Sequence, residues 1–370
     1  MRVSAAVART PGGAFVVETL DLDEPSSDEV RVRVVATGLC HTDLVVRDQI
    51  LPTPLPAVLG HEGAGIVEAI GQDVRSVKVG DHVVLGFAAC RACEPCGQGQ
   101  PAYCSTFFDL NFAGRRSDGT SALSDAQGDV SSHFFGQSSF ATYANVPAKN
   151  VVVVPSEAPL EILGPLGCGI MTGAGAVLNS LATQAGQSVL VSGGGPVGLS
   201  GVMAAKVARA DPIILVDPLE SRRSLATELG ATHVIDPMMG DLAEAVRAII
   251  PGGVDRVLET SGNIAAIEKA ISLLGTRGRL AMVGVPQSLD ATLTVPILAM
   301  LSLGSSICGV TEGDADPQTF VPRLIEMHDE GCFPFDRLIT RYPLSKINEA
   351  IDDQHAGRCV KAVLVMDHPA

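Results

Sequence analysis

The chain has 370 residues, 46% hydrophobic and 18% charged, enough for two packed domains. Its 26 lysines and arginines stand against 41 aspartates and glutamates, a formal charge of −15, so the basic footprint that nucleic acid or an anionic membrane requires is missing. No apolar run reaches the ~18 residues of a membrane span, and the opening MRVSAAVARTPGGAF has no continuous apolar core of an export signal, so a cytoplasmic protein is expected.

The first third reads as strand-rich. Residues 30–35 (VRVRVV) alternate apolar and charged side chains, the pattern of a half-buried strand, and residues 65–70 and 82–85 are similar. Residues 107–135 turn polar and irregular and read as a long surface loop. Strand character returns at 141–146 and 151–154. From residue 188 the rhythm changes. Short apolar runs at 189–192, 213–217, 233–236, 256–259, 280–284 and 306–310 alternate with helix-like stretches at 197–209, 222–230, 242–250 and 265–274. Strands alternating with helices predict a parallel sheet, here six-stranded and doubly wound, in an α/β protein. Helices are expected over 319–329 and 344–354, then a closing strand over 361–366. There are no internal repeats.

The first chemical motif is GGGPVG at 193–198, between a predicted strand and a predicted helix. Gly193, Gly195 and Gly198 match G-x-G-x-x-G, in which a tight turn lets backbone and helix N-terminus approach a pyrophosphate. The next strand ends in Asp217, about twenty residues further on, where a carboxylate binds a ribose 2′-hydroxyl and repels a 2′-phosphate. NAD is therefore expected over NADP. Arg222 either covers the adenosine edge of such a cofactor or, beside Arg223, faces solvent.

Nine cysteines in a chain without an export signal read as metal ligands or thiols rather than disulfides. Cys90, Cys93, Cys96 and Cys104 form C-x2-C-x2-C-x7-C, a spacing that closes a tetrahedral thiolate shell with no open position, the structural type of zinc site. An iron–sulfur cluster is the competing ligand reading. Elsewhere, Cys40 lies in GLCHTD, His61 in GHEG, and Cys168 in a glycine-rich stretch. Two cysteines, one histidine and an open position make a catalytic zinc pattern, though spacing alone does not join three such distant residues.

GLCHTD at 38–43, GHEGAGIVEAIG at 60–71, the four-cysteine lobe, GPLGCGIMTGAGA at 164–176 and GGGPVG together resemble the zinc-dependent medium-chain dehydrogenase/reductase family. The likeness runs to GRCVKAVLV at 357–365. CHTDLVVRDQ and PTPLPAVLGHEGAG are most similar to the aryl-alcohol and geraniol dehydrogenase branch. The resemblance implies a GroES-like catalytic domain over residues 1–169, to which 311–370 return, and a Rossmann domain over 170–310. It implies that Cys40, His61 and Cys168 hold catalytic zinc, that Glu62 lies behind the metal and that Asp43 fixes the tautomer of His61. Thr42 would hydrogen-bond the substrate oxygen and pass its proton toward the cofactor ribose. His41 and Lys361 match pyrophosphate-contacting positions. His41 is set aside as a ligand because neighbours on an extended segment point apart.

Two departures from the family pattern stand out. The histidine that many relatives carry five residues after the first zinc cysteine is Val45 here, so the proton route beyond Thr42 differs. Arg47 either lies near cofactor and substrate or is a surface arginine. Phe134, Phe135, Val285 and Thr311 match substrate-channel positions, and Phe87 lies close to another. The implied reaction is NAD-linked oxidation of a primary alcohol, with a thiol-dependent formaldehyde dehydrogenase and a non-catalytic dinucleotide binder as alternatives. The apolar run 297–310 marks the edge on which the resemblance implies a homodimer or homotetramer.

Overall fold

The alternating run at 30–35 extends into the ten-residue strand Glu29–Gly38, around which the first part of the molecule is organised. The computed structural model describes residues 1–286 and 288–368 and divides them into two compact units. The first comprises Met1–Cys168, Asp316–Leu324 and the chain from Asp336 onward; the second comprises Gly169–Ala315 and Ile325–Phe335.

In the first unit Glu29–Gly38 pairs antiparallel with Gly63–Ile70, Tyr143–Pro147 and Lys361–Val365. His82–Leu85, Val151–Val154 and Ile339–Pro343 complete a seven-stranded sheet. A five-stranded sheet runs Ala57–Val58, Arg2–Ala8, Val16–Leu22, Leu123–Asp125, Gly128–Val130. The alternation expected over residues 30–35 is present, with Val30, Val32 and Val34 fully buried and Arg33 and Val35 partly exposed; Arg31, only 8% exposed, is the exception. Its guanidinium donates to the Asp23 carbonyl at 2.7 Å, which lets a charged residue sit inside.

The surface loop expected over 107–135 is also corrected. Its start forms the helix Phe107–Phe112, a hairpin joins Leu123–Asp125 to Gly128–Val130, and residues 130–142 are buried throughout. The serines that suggest exposure instead hydrogen-bond inside, as Ser138 Oγ does to the Val58 carbonyl at 2.6 Å.

In the second unit six parallel strands run in the spatial order His233–Ile235, Ile213–Val216, Val189–Ser192, Val254–Glu259, Leu274–Met282, Ser306–Gly309. Numbered along the chain this is 3-2-1-4-5-6, the doubly wound order that leaves a crevice at the carboxyl ends where the first and fourth strands part. Leu190, Ile214, Val257 and Leu280 form a core under the helices. Each such buried side chain stabilises the sheet by about 2 kcal/mol. Among the described residues no single helix is long and apolar enough to cross a membrane.

Candidate metal centres and dinucleotide site

Where Glu29–Gly38 ends, Cys40 takes an extended conformation and caps the short helix His41–Arg47. Asp43, in its first turn, is buried and fully engaged. Its Oδ2 accepts the Cys40 N–H at 2.9 Å and its Oδ1 accepts the Gly60 N–H at 3.1 Å. The same Oδ1 lies 2.8 Å from His61 Nδ1. One carboxylate thus closes the helix cap and fixes the imidazole, with the proton on Nδ1. That leaves Nε2, buried and without a hydrogen-bond partner among the described residues, as the nitrogen free to hold a metal. Gln137 braces the same segment: its Nε2 donates to the His61 carbonyl at 2.9 Å and its Oε1 accepts the Gly63 N–H at 3.0 Å.

Cys168 follows the turn Gly164–Gly167 and arrives at the same place. Ligand atoms of Cys40, His61, Glu62 and Cys168 all lie within 4.8 Å of one another. The hydrogen bond from Cys168 holds the Cys40 thiol well below its ordinary range, against the upward push of burial and with help from His61 and Lys361. A thiolate is the metal-binding form. Two sulfurs and an imidazole nitrogen with no other partner fit a tetrahedral divalent ion with one position open. Glu62 is pushed up by burial, opposed by Lys361, whose Nζ donates to Glu62 Oε1 at 2.7 Å and to the Leu39 carbonyl at 2.9 Å.

An aromatic wall stands beside this centre. Phe135 stacks on His61 at 4.5 Å and 28°, and Phe134 meets it edge-on at 5.4 Å. Phe112 and Phe107 contact Phe135 at 5.2 and 6.2 Å, and Phe87 contacts Phe107 at 5.7 Å. With Phe108 stacked on Phe112, six of the chain's eleven phenylalanines form one connected cluster ending on His61. Phe135 holds a left-handed backbone (φ 52°), which for a bulky residue costs of order 1–3 kcal/mol.

The four lobe cysteines also converge. Cys90 and Cys96 sulfurs lie 4.0 Å apart and those of Cys93 and Cys104 3.9 Å apart. A tetrahedral zinc with ~2.3 Å bonds to sulfur requires edges of roughly 3.8 Å. This shell fits one ion and is too tight to surround several irons. Backbone N–H groups of Cys93, Ala92 and Ser105 point at the sulfurs, and the Ser105 N–H chiefly draws the Cys93 thiol down to about 6.

In the second unit, Gly193 follows the strand Val189–Ser192 with φ 98°, and the helix Pro196–Val207 starts immediately after Gly195. A side chain at Gly198 would collide with the Gly193 carbonyl at 1.8 Å, whereas one at Gly195 would meet only Arg222 Nη1, at 3.5 Å. The turn is packed on one side and open on the other, as a pyrophosphate cradle must be. Asp217 Oδ2 accepts the Gly194 N–H at 2.7 Å and its Oδ1 accepts the Leu219 N–H at 2.7 Å, which holds the carboxylate at the turn. Arg222 lies over the glycines with its Nε unpartnered among the described residues, while Arg223 is tied to the Asp217 carbonyl at 2.7 Å. A cavity of about 830 Å³ opens here, lined by Gly193, Asp217, Pro218, Asp241, Ser261 and Lys269.

Other expected residues fall in different surroundings. His41 is exposed because it begins a helix, whereas the extended residue is Cys40. Thr42 Oγ1 lies 3.7 Å from the Cys40 sulfur. Lys361, matched to a pyrophosphate position, has its ammonium 1% exposed and directed to Glu62. Arg47 pairs with the adjacent Asp48 at 2.7 Å, and Val45 is buried. Val285 and Thr311 lie in the second unit. Gln137, Phe107 and Phe112 escape sequence reasoning; the aromatic density of FFDLNF is the one local signal for the last two.

Residues 26–156 match the alcohol dehydrogenase GroES-like domain family and residues 196–328 the zinc-binding dehydrogenase family. The chain is 48% identical to a geraniol dehydrogenase of Castellaniella defragrans over 98% of its own length and 97% of the relative's. It is 46% identical to the crystal structure of benzyl alcohol dehydrogenase from Acinetobacter calcoaceticus, with a TM-score of 0.96, covering 99% of this chain and 100% of that one. Identity to S-(hydroxymethyl)glutathione dehydrogenase of Saccharomyces cerevisiae is 34%, over 98% and 96% of the two chains.

Proposed function

The chain belongs to the zinc-binding alcohol dehydrogenase family, and from that premise we propose that it oxidises primary aryl or allylic alcohols to aldehydes with NAD, reversibly. The observation that carries the substrate class is the aromatic wall, with Phe135 lying flat on His61. The rings are themselves packed, Phe134 0% and Phe135 4% exposed, so a planar unsaturated substrate would meet ring edges there that a short aliphatic alcohol does not reach. The names of the relatives support the same class, and the thiol-adduct dehydrogenase is the more distant at 34% identity.

In this reading Cys40, His61 and Cys168 hold the catalytic zinc, and Cys90, Cys93, Cys96 and Cys104 the structural one. Zinc supplies the Lewis acidity that makes an alcohol hydroxyl more acidic, and the nicotinamide accepts the hydride. Asp43 orients His61. Thr42 hydrogen-bonds the alcohol oxygen and relays its proton toward the cofactor ribose, giving up its own hydroxyl proton as it accepts the substrate's. Phe87, Phe134 and Phe135 wall the substrate's path on the metal side, and Val285 and Thr311 are assigned to substrate by resemblance. Gly193, Gly195, Gly198 and Arg222 hold the pyrophosphate and adenosine, with His41 assigned to the cofactor by resemblance; Lys361, whose ammonium is buried against Glu62, holds that carboxylate instead. Asp217 selects NAD by repelling a 2′-phosphate. Residues 1–169 with 311–370 serve as the catalytic domain and 170–310 as the dinucleotide domain.

We place the protein in the cytoplasm as a homodimer or homotetramer. The assembly is supported by the helix Ile297–Leu303, whose Ile297, Leu298 and Leu301 are each more than 70% exposed beside the edge strand Ser306–Gly309. The test is reduction of NAD and NADP by the zinc-loaded protein with benzyl, cinnamyl, geranyl and short aliphatic alcohols. Fast NAD-dependent turnover of the unsaturated alcohols, abolished by Cys40→Ala, supports the reading. Activity only with formaldehyde plus a thiol would overturn it.

A further inference from the structure

Four of the six residues from His133 to Ser138 hold positive φ: His133 at 61°, Phe135 at 52°, Gly136 at 68° and Ser138 at 53°. Only glycine adopts this region without strain, so the turn persists because its surroundings over-determine it. Its anchors are visible. Ser138 Oγ donates to the Val58 carbonyl at 2.6 Å and accepts the Phe134 N–H at 3.0 Å. At the other end, His133 Nε2 lies 2.7 Å from the Glu29 carboxylate and Nδ1 lies 2.8 Å from Ser132 Oγ. Glu29 is itself 2% exposed, accepts from Arg116 Nε at 3.0 Å and from the Ser26 N–H at 2.8 Å, and begins the strand whose far end delivers Cys40. Between the two anchors is Phe135, stacked on His61.

We propose that Glu29 and His133 are positioning residues for substrate selection: they lock the start of the strained turn and so hold Phe135 flat against His61, fixing which ring edge a planar unsaturated alcohol meets. The proposal rests on the reading of Phe135 as a pocket wall and of aryl or allylic alcohols as substrates. Neither residue touches the metal-binding atoms. An apolar plug would fill the space without the desolvation that a buried acid and imidazole incur. What the polar pair adds is direction: two hydrogen bonds fix the imidazole ring and with it the left-handed backbone that follows. Once the pair is broken, the imidazole no longer ties the turn to Glu29, and the Phe135 ring is free to leave its stacked orientation. A substrate that lies against the ring loses that surface; a short aliphatic alcohol, held by its hydroxyl alone, does not.

The test uses two full-length variants. His133→Asn tolerates the left-handed backbone but is too short to reach Glu29. Glu29→Gln keeps the shape and one acceptor oxygen. Steady-state kcat and KM are measured with cinnamyl alcohol and 1-butanol, alongside zinc content. The expected result is a rise of about tenfold in KM for cinnamyl alcohol in His133→Asn and a smaller rise in Glu29→Gln. Both constants for 1-butanol stay within about twofold of wild type, with zinc retained. Equal losses for both alcohols would reduce the pair to a support of the fold and overturn the proposal. So would a cinnamyl preference that is present in wild type and survives in both variants. Absence of that preference from wild type itself would remove the substrate reading first, and the proposal with it. If His133→Asn fails to fold, Glu29→Gln decides on the same criterion.

Discussion

Asp43 Oδ1 lies 2.8 Å from His61 Nδ1, and both side chains are wholly buried. Because the same carboxylate closes the cap at Cys40, two of the proposed zinc ligands are oriented by one acid. Asp43→Asn keeps the volume but can present an amide N–H where His61 needs an acceptor. Zinc affinity at this centre should fall roughly 10- to 100-fold, with kcat/KM following it. Competition with a metallochromic chelator reads the affinity. A variant that binds zinc as tightly as wild type would remove Asp43 from the ligand-orienting role.

Burial pushes the Glu29 carboxyl up, but hydrogen bonds from His133 and Arg116 outweigh it and hold the group down to about 2. A carboxylate with a depressed folded value contributes stability above its ordinary value of 4.5 and loses it as pH falls toward 2. Glu29→Gln should therefore be less stable than wild type by at most about 3 kcal/mol, with a gap that is flat from pH 8 to about 5 and closes below about 4.5. Chemical denaturation across that range measures the gap. A gap that widens as pH falls would contradict the assignment.

Cys96→Ser removes one corner of the lobe tetrahedron. The variant should carry one zinc per chain fewer by elemental analysis, and its Tm should drop by about 10 °C or more, because binding energy at a closed structural site is folding energy. Unchanged metal content would mean the four sulfurs are free thiols.

Asp217→Asn leaves an oxygen to accept from the Gly194 N–H and removes only the charge. The ratio of kcat/KM for NAD over NADP should fall roughly 10- to 100-fold. Since the backbone contacts survive, a loss of activity with both cofactors in equal measure would point to a structural role for Asp217 instead.

Residue spacing makes some of this molecule legible and hides the rest. The central parallel strands stand out because strands buried on both faces are continuous apolar runs: Val189–Ser192 and Ile213–Val216 are buried throughout and lie within the runs read from sequence. The lobe cysteines are legible because all four ligands come from fifteen consecutive residues. The turn at 133–138 is not, since its serines and glutamine read as solvent-facing while their partners, Val58, His61 and Gly63, lie some eighty residues earlier. Lys361 is a similar case. Its match to a cofactor position is a matter of local sequence, but its partner Glu62 is 299 residues away, and nothing local announces a buried ion pair. What periodicity and spacing cannot encode is which distant acid, amide or ring a side chain will meet.

The strand Lys361–Val365 is the last in the chain, yet it pairs with Glu29–Gly38 and brings Lys361 against Glu62. When Cys168 is added to the nascent chain, roughly 190 residues are still to be made before Lys361, an interval of about 10–40 s at ordinary elongation rates. Throughout that interval one edge of the catalytic sheet is open and the acid behind the metal centre has no counter-charge. The ion pair thus forms only once Lys361 has been made. Removing the strand Lys361–Val365 would take away both a neighbour of Glu29–Gly38 and the ammonium that faces Glu62, so one short segment serves the sheet and the site together.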